Sequence, residues 1–134
     1  MKLHREERLE GVHPDLAGVI RLAADYVPFD LVVLEGVRSK ERQEHLVSIG
    51  ASKTLKSRHI PNKDGYACAS DVAPMLDTDG DGDKEPSWHW PQYDVLAAAM
   101  KKAAKELGIP VEWGGDWKSF KDGPHWQLPW AEYP

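Results

Sequence analysis

Between His13 and Pro28, apolar residues recur at Leu16, Val19, Ile20, Ala23, Ala24 and Val27. These are the three- and four-residue intervals of one helical stripe, with Asp15 placed to cap the first turn and Pro28 to stop the last. The next stretch, FDLVVLEGVRS, runs β-branched and apolar residues together as a buried strand does, and a two-residue period puts Val32, Leu34 and Arg38 on one side. An arginine at the end of a core strand needs a reason. Ser39 then caps a short helix over KERQEHLVSIG that Gly50 ends, and ASKTLKS reads as loop. From Gly65 onward, alternation places Ala67, Ala69 and Asp71 on one face of a strand and Tyr66, Cys68 and Ser70 on the other, so Asp71 stands among small side chains. The clearest helical pattern is PQYDVLAAAMKKAAKELG, which starts at Pro91, stops at Gly108 and turns Leu96, Met100, Ala103, Ala104 and Leu107 inward. IPVEW reads as a strand, GGDWKSFKDGP as a loop, and HWQL as a last strand with His125 and Gln127 on one side, Trp126 and Leu128 on the other. Together these elements predict an α+β fold, a small and mostly antiparallel sheet with helices packed on one side.

Composition narrows the picture. A chain of 134 residues, 41% of them hydrophobic, suits one domain over 1–134, since two cores would each have too little interior to offset chain entropy. The opening MKLHREERLEG has no apolar core of signal-peptide length, and nowhere do about 18 apolar residues run together. A soluble monomer made in the cytosol is expected, with no membrane partner. The one cysteine, Cys68, excludes an internal disulfide and reads as a small buried residue. A net charge of −5 argues against nucleic acid as a partner. Part of that surplus sits in DTDGDGDKE, where Asp77, Asp79 and Asp81, with Asp83 nearby and Gly82 at the turn, match the front half of a calcium loop. The back half fails, because Trp88 stands where a bidentate glutamate is needed. A calcium site and a solvated acidic turn both remain open.

The residues with most chemistry lie in SRHIPNKDGYACASDVAP and near the C-terminus. A catalytic zinc takes three ligands from His, Asp and Glu and leaves a fourth position to water. His59, Asp71 and His125 could supply them, with Asp122, three residues before the last histidine, near enough to take a proton. Spacing alone carries little weight, because these residues are spread over loops and strand ends rather than paired on one helix turn. A surface-loop histidine, a turn aspartate in KDGP, and an arginine paired with Glu35 or Glu41 are the ordinary alternatives.

Three blocks together, EGVRSKERQ, SRH with the following G-x-A-x-x-x-D-x-A-P, and WGGDWKSFKDGPHWQL, resemble the zinc peptidases that comprise D-alanyl-D-alanine carboxypeptidases and phage L-alanyl-D-glutamate endolysins. The resemblance runs from about Val32 to Leu128. It implies zinc held by His59, Asp71 and His125, Asp122 as general base, and Arg38 steadying the carbonyl oxygen as it becomes anionic. The implied substrate is the peptidoglycan stem peptide, cut between L-alanine and D-glutamate by an enzyme that waits in the cytosol until a partner opens the membrane. A D-alanyl-D-alanine carboxypeptidase and a non-catalytic zinc-binding module are the alternatives. Two departures stand out. The family has a shorter interval than the eleven residues between His59 and Asp71, which an insertion around PNKDG would explain, with Asp64 as a competing ligand. Gln127 stands where many relatives carry glutamate, which bears on substrate binding. Ser57 either contacts substrate or bonds its own loop. His4, His13, His45 and His89 have no motif support. Of the six tryptophans, Trp113 and Trp117 are expected to roof the site and Trp126 to enter the core, packing being commoner than sugar stacking.

Overall fold

In the computed structural model, which describes residues 2–52, 57–119 and 121–134, the first apolar stripe forms helix α1, Pro14–Ala24, which ends short of the expected Val27 and Pro28; Val27 is buried from the turn that follows. The cap of α1 is His13 rather than Asp15. The imidazole Nδ1 accepts the Asp15 N–H at 3.1 Å, and Pro14, which has no N–H to satisfy, takes the first helical position. The Asp15 carboxylate instead accepts the Tyr133 hydroxyl at 2.7 Å, which ties the C-terminal segment to this helix. Helix α2, Lys40–Ser48, starts as expected, with the Ser39 hydroxyl accepting the Arg42 N–H at 3.0 Å. It is mostly polar, and its buried side chain is Gln43. Helix α3, Trp90–Leu107, buries Tyr93, Leu96, Met100, Ala103 and Ala104 and ends on Gly108 in the left-handed region. Leu107 was expected inside but is 47% exposed, because in the last turn the stripe has passed the edge of the core. Helices α1 and α3 pack on each other, and α3 also touches the sheet.

Among the described residues the sheet has six strands: β1 Leu3–His4, β2 Asp30–Glu35, β3 Ala69–Leu76, β4 Glu85–Pro86, β5 Glu112–Trp113 and β6 His125–Gln127. Their order is β1-β2-β3-β6-β5, with β4 paired to the far end of β3. β1 runs parallel to β2 and every other pairing is antiparallel, in line with the expected mostly antiparallel α+β arrangement. Two-residue strands such as β1 and β4 carry no periodicity and were not anticipated. β1 is held by Asp30, whose carboxylate accepts the Lys2 N–H and pairs with His4 and Lys84; the His4 and Lys84 hydrogen bonds hold its carboxyl well below the usual range.

β3 positions the site because it is paired on both sides. Its register sets Asp71 opposite Glu35 on β2 and opposite His125 on β6. A register shift between Val33 and Glu35 breaks the alternation expected through Val32, Leu34 and Arg38. β2 ends at Glu35, so Arg38 lies beyond the strand. The core gathers Leu16, Ile20, Leu31, Val33, Val72, Leu96, Met100 and Trp126, and side chains of this size contribute about 2 kcal/mol or more each when fully buried. Trp113 belongs to it too. Rather than roofing the site, its ring stacks on Trp126 at 5.7 Å and its Nε1 donates to the Gly123 carbonyl at 2.7 Å. Cys68 is free and buried, as expected. Among the described residues no helix is long and apolar enough to cross a membrane. Of the loop expected over ASKTLKS, residues 53–56 lie outside the described residues, as does Phe120 in the later loop.

Candidate active site

His59 from the segment before β3, Asp71 from β3 and His125 from the start of β6 bring one ligand atom each within 4.8 Å of the others. The Nε2 of His59 and the Nδ1 of His125 both stand 3.3 Å from Oδ1 of Asp71. Both imidazoles are buried, while Asp71 keeps partial access to solvent. The outer ring nitrogens decide what the inner ones can do. The Nδ1 of His59 donates to the Gly36 carbonyl at 2.8 Å, and the Nε2 of His125 donates to Oε1 of Gln127 at 2.8 Å. Each bond can hold a ring proton outward, which leaves a neutral ring's inner lone pair for a metal; without a metal, a ring that also carries an inner proton donates it to Asp71. Two neutral imidazoles and one carboxylate sharing a focus are a donor set suited to a divalent transition metal, and a three-ligand set leaves room for solvent.

The electrostatics follow from this packing. Burial alone raises the Asp71 carboxyl, but hydrogen bonds from His125 and His59 outweigh it and hold the group well below the usual range. Burial lowers His125, and the hydrogen bond it donates to Asp71 more than reverses that. Asp122 behaves in the opposite way to Asp71: burial pushes its carboxyl up, and the charge of Asp71 adds to the rise.

The three residues open into a cleft of about 730 Å³ whose walls include Arg38, Arg58, Trp117, Asp122, Gln127 and Trp130. The Trp117 ring lies 5.1 Å from that of His125, so this tryptophan does border the site as expected. Arg38 is paired as the ordinary alternative required and also lines the cleft. Its Nε and Nη2 donate to the two oxygens of Glu35 at 2.7 and 2.8 Å, and its Nη1 donates to Oε1 of Gln43 at 2.6 Å. Three of the five guanidinium N–H groups are thus spent on orientation, leaving two for other work. Gln43, 1% exposed, also donates to the Ser52 hydroxyl at 2.8 Å. The Ser57 hydroxyl lines the cleft and accepts the His59 N–H at 3.1 Å, a bond within its own loop.

Two glycines missed in the sequence are needed for this geometry. A Cβ on Gly36 would stand 2.1 Å from the Arg8 carbonyl oxygen, so only glycine lets the chain pass there and present its own carbonyl to His59. A Cβ on Gly114 would stand 2.4 Å from the Asp122 carbonyl oxygen and 3.1 Å from the Cβ of His125. The signal was present in GV and WGG, but glycine in a turn has many commoner causes.

Other candidates separate from the site. Asp64 lies in an exposed turn in which Asn62 accepts the N–H groups of Asp64 and Tyr66 and Gly65 takes φ 86°, so the extra length between His59 and Asp71 is absorbed at the surface. In the acidic loop, Asp77, Asp79, Asp81 and Glu85 gather, whereas Asp83 is outside the group. Asp77 accepts N–H groups of Gly80 and Gly82, Asp79 that of Asp81, Asp81 that of Asp83, and Glu85 that of Thr78. This self-bonded turn accounts for the carboxylates as a solvated acidic turn does, and the calcium alternative gains no support.

Gln127, expected to bear on substrate, has its carbonyl oxygen on the outer nitrogen of His125. Gln127→Leu is therefore expected to weaken zinc binding by about 10- to 100-fold in chelator competition with the fold retained, and Gln127→Glu to strengthen it. Equal affinities across the three proteins would separate Gln127 from the metal site.

Comparison with known proteins places the chain among peptidases. Residues 1–127 match the family described as phage L-alanyl-D-glutamate peptidase. The L-alanyl-D-glutamate peptidase of Escherichia phage T5 is 31% identical over 121 residues, covering 87% of this chain and 80% of that protein. The peptidoglycan L-alanyl-D-glutamate endopeptidase CwlK of Bacillus subtilis is 31% identical over 123 residues, covering 84% and 68%. Among solved structures, the Serratia marcescens L-Ala D-Glu endopeptidase ChiX superposes with a TM-score of 0.83 at 48% identity, covering 96% of this chain and 89% of that one. A family match over nearly the whole length, with relatives of similar size, leads to one conclusion: the chain belongs to the phage L-alanyl-D-glutamate peptidase family.

Proposed function

We propose that this protein is a zinc-dependent peptidoglycan hydrolase that cuts the stem peptide between L-alanine and D-glutamate, with residues 1–134 as one catalytic domain acting as a monomer. The observation that carries the reading is the meeting of His59, Asp71 and His125 on the floor of a cleft that Asp122 and Arg38 also line. His59, Asp71 and His125 would hold the metal. Zinc bound there would supply a Lewis acid that acidifies water and polarises the scissile carbonyl.

The chain's own groups do the rest. Asp122, raised by burial, takes the proton of the attacking water as the new C–O bond forms, and delivers it to the D-glutamyl nitrogen as the C–N bond breaks. Arg38, fixed by Glu35 and Gln43, directs its remaining N–H groups to the carbonyl oxygen as negative charge develops. The wall is reached from the cytosol once a partner has opened the membrane. Mass analysis of purified muropeptides after digestion tests the specificity. Release of the stem from L-alanine is the expected product, while loss of one terminal alanine would assign a carboxypeptidase, and no product from zinc-loaded protein would leave only a metal-binding module.

A further inference from the structure

Arg58 differs from every other cation of the cleft. It is 4% exposed, yet among the described residues no carboxylate comes within 4.0 Å of it. Its partners are neutral carbonyls: Nε and Nη2 donate to Leu128 at 3.2 and 3.0 Å, and Nη2 also donates to Pro129 at 3.4 Å and Tyr133 at 2.6 Å. The guanidinium lies 4.0 Å from the centre of the Trp130 ring. One nitrogen, Nη1, has no partner among the described residues. It is not sealed either, since the sealed and unpartnered side-chain atom found among those residues is the Trp126 Nε1. Arg58 itself lines the cleft that holds His59, Asp71 and His125.

A charge taken out of water without a counter-ion is costly, and carbonyl dipoles compensate it only in part. A clamp for the C-terminal segment would need donors but no net charge. What the guanidinium adds is a fixed positive charge on a residue that lines the cleft, with the N–H groups of Nη1 left over for an acceptor such as a carboxylate oxygen. The other cations serve less well. Arg38 is neutralised by Glu35, whereas Arg42 and Lys121 line the same cleft but are exposed and solvated. The substrate class has a matching anion: the α-carbon that bears the scissile nitrogen of an L-alanyl-D-glutamyl bond also bears the glutamyl α-carboxylate when the chain continues through the γ-carboxyl.

We infer that Arg58, braced by the Leu128, Pro129 and Tyr133 carbonyls and by the Trp130 ring, is the subsite that binds the free carboxylate of the D-glutamyl residue and makes the enzyme prefer acidic over amidated stem peptides. This inference rests on the proposed endopeptidase reading.

The test compares two substrates, N-acetyl-L-Ala-γ-D-Glu-L-Lys and its α-amide, in both of which the γ-carboxyl is blocked. The wild-type protein is expected to favour the acid by about 30-fold or more in kcat/KM, the scale of an unpaired buried charge. In Arg58→Gln the ratio falls to near one, and in Arg58→Lys it lies between. Arg42→Gln and Lys121→Gln keep the wild-type ratio. A wild-type ratio near one overturns the inference, as does an unchanged ratio in a folded, zinc-loaded Arg58→Gln protein. If Arg58→Gln fails to fold, loss of the ratio in Arg42→Gln or Lys121→Gln overturns it and retention in both supports it. Cleavage of neither substrate by the wild-type protein is a different failure: it removes the endopeptidase reading, and this subsite with it.

Discussion

An Asp71→Ala protein is expected to lose zinc and, with it, all hydrolysis of stem peptides above the background of chelator-treated enzyme. Asp71 is the one anionic member of the proposed ligand set, and it sits at the focus, 3.3 Å from each imidazole. Two neutral histidines alone would leave the cation's charge uncompensated in a buried site. Alanine suits the strand, so the backbone pairing of β3 with β2 and β6 is expected to survive. The same substitution has a signature in metal-free protein. The Asp71 carboxyl is held below its ordinary 3.8, so its contribution to stability is present above that value and fades as pH falls. His125 is held above its ordinary 6.5, so its contribution is complete below that value and fades as pH rises through the folded one. Between these two limits both groups are charged and facing each other. Thermal unfolding in chelator is therefore expected to show the widest gap between wild type and Asp71→Ala near pH 5, narrowing toward pH 3 and toward pH 9. A gap independent of pH would contradict the pairing.

Asp122→Asn is the second large effect, and it is expected to separate chemistry from binding. Zinc content stays at wild-type level, because Asp122 is outside the group of potential ligands, while kcat falls by about 10²- to 10⁴-fold through loss of the general base. Asparagine keeps the shape of the loop, whose Asp122 carbonyl accepts the His125 N–H at 3.2 Å and whose Asp122 N–H donates to Gly114 at 3.1 Å. The pH profile gives a further check. A base must be ionised, so wild-type kcat/KM falls as pH drops and Asp122 is protonated, and this acid limb is expected to be missing from Asp122→Asn. Wild-type turnover by the variant would remove Asp122 from the mechanism.

What could be read from the chain depended on how far apart the interacting parts lie. The α1 and α3 stripes, the Ser39 cap and the apolar run of β2 are local patterns, and each appears at the place its residues predict, although α1 ends at Ala24 rather than running through Val27. The first cap departs from its pattern: Asp15 is the commoner capping type, whereas the histidine before Pro14 accepts the bond. The register shift in β2 moved Arg38 off the strand alternation for a reason that only pairing with β3 supplies. The candidate ligands were legible through the resemblance of three sequence blocks, not through spacing, and the structure brings those three side chains together. Their supporting groups were not legible. Gly36 meets His59 across 23 positions and Arg58 meets Leu128 across 70, contacts that no local period encodes. Gln43 is one polar residue among several on α2, and only its burial beside Arg38 sets it apart.

The central claim is that two imidazoles and one carboxylate hold a single zinc ion in an open coordination shell. Anomalous diffraction at the zinc edge from crystals of the zinc-loaded protein tests it most directly. The account predicts one peak about 2.0–2.2 Å from Nε2 of His59, an oxygen of Asp71 and Nδ1 of His125, with solvent completing the shell. A peak held by other residues, or a shell closed by a fourth protein ligand, would contradict it.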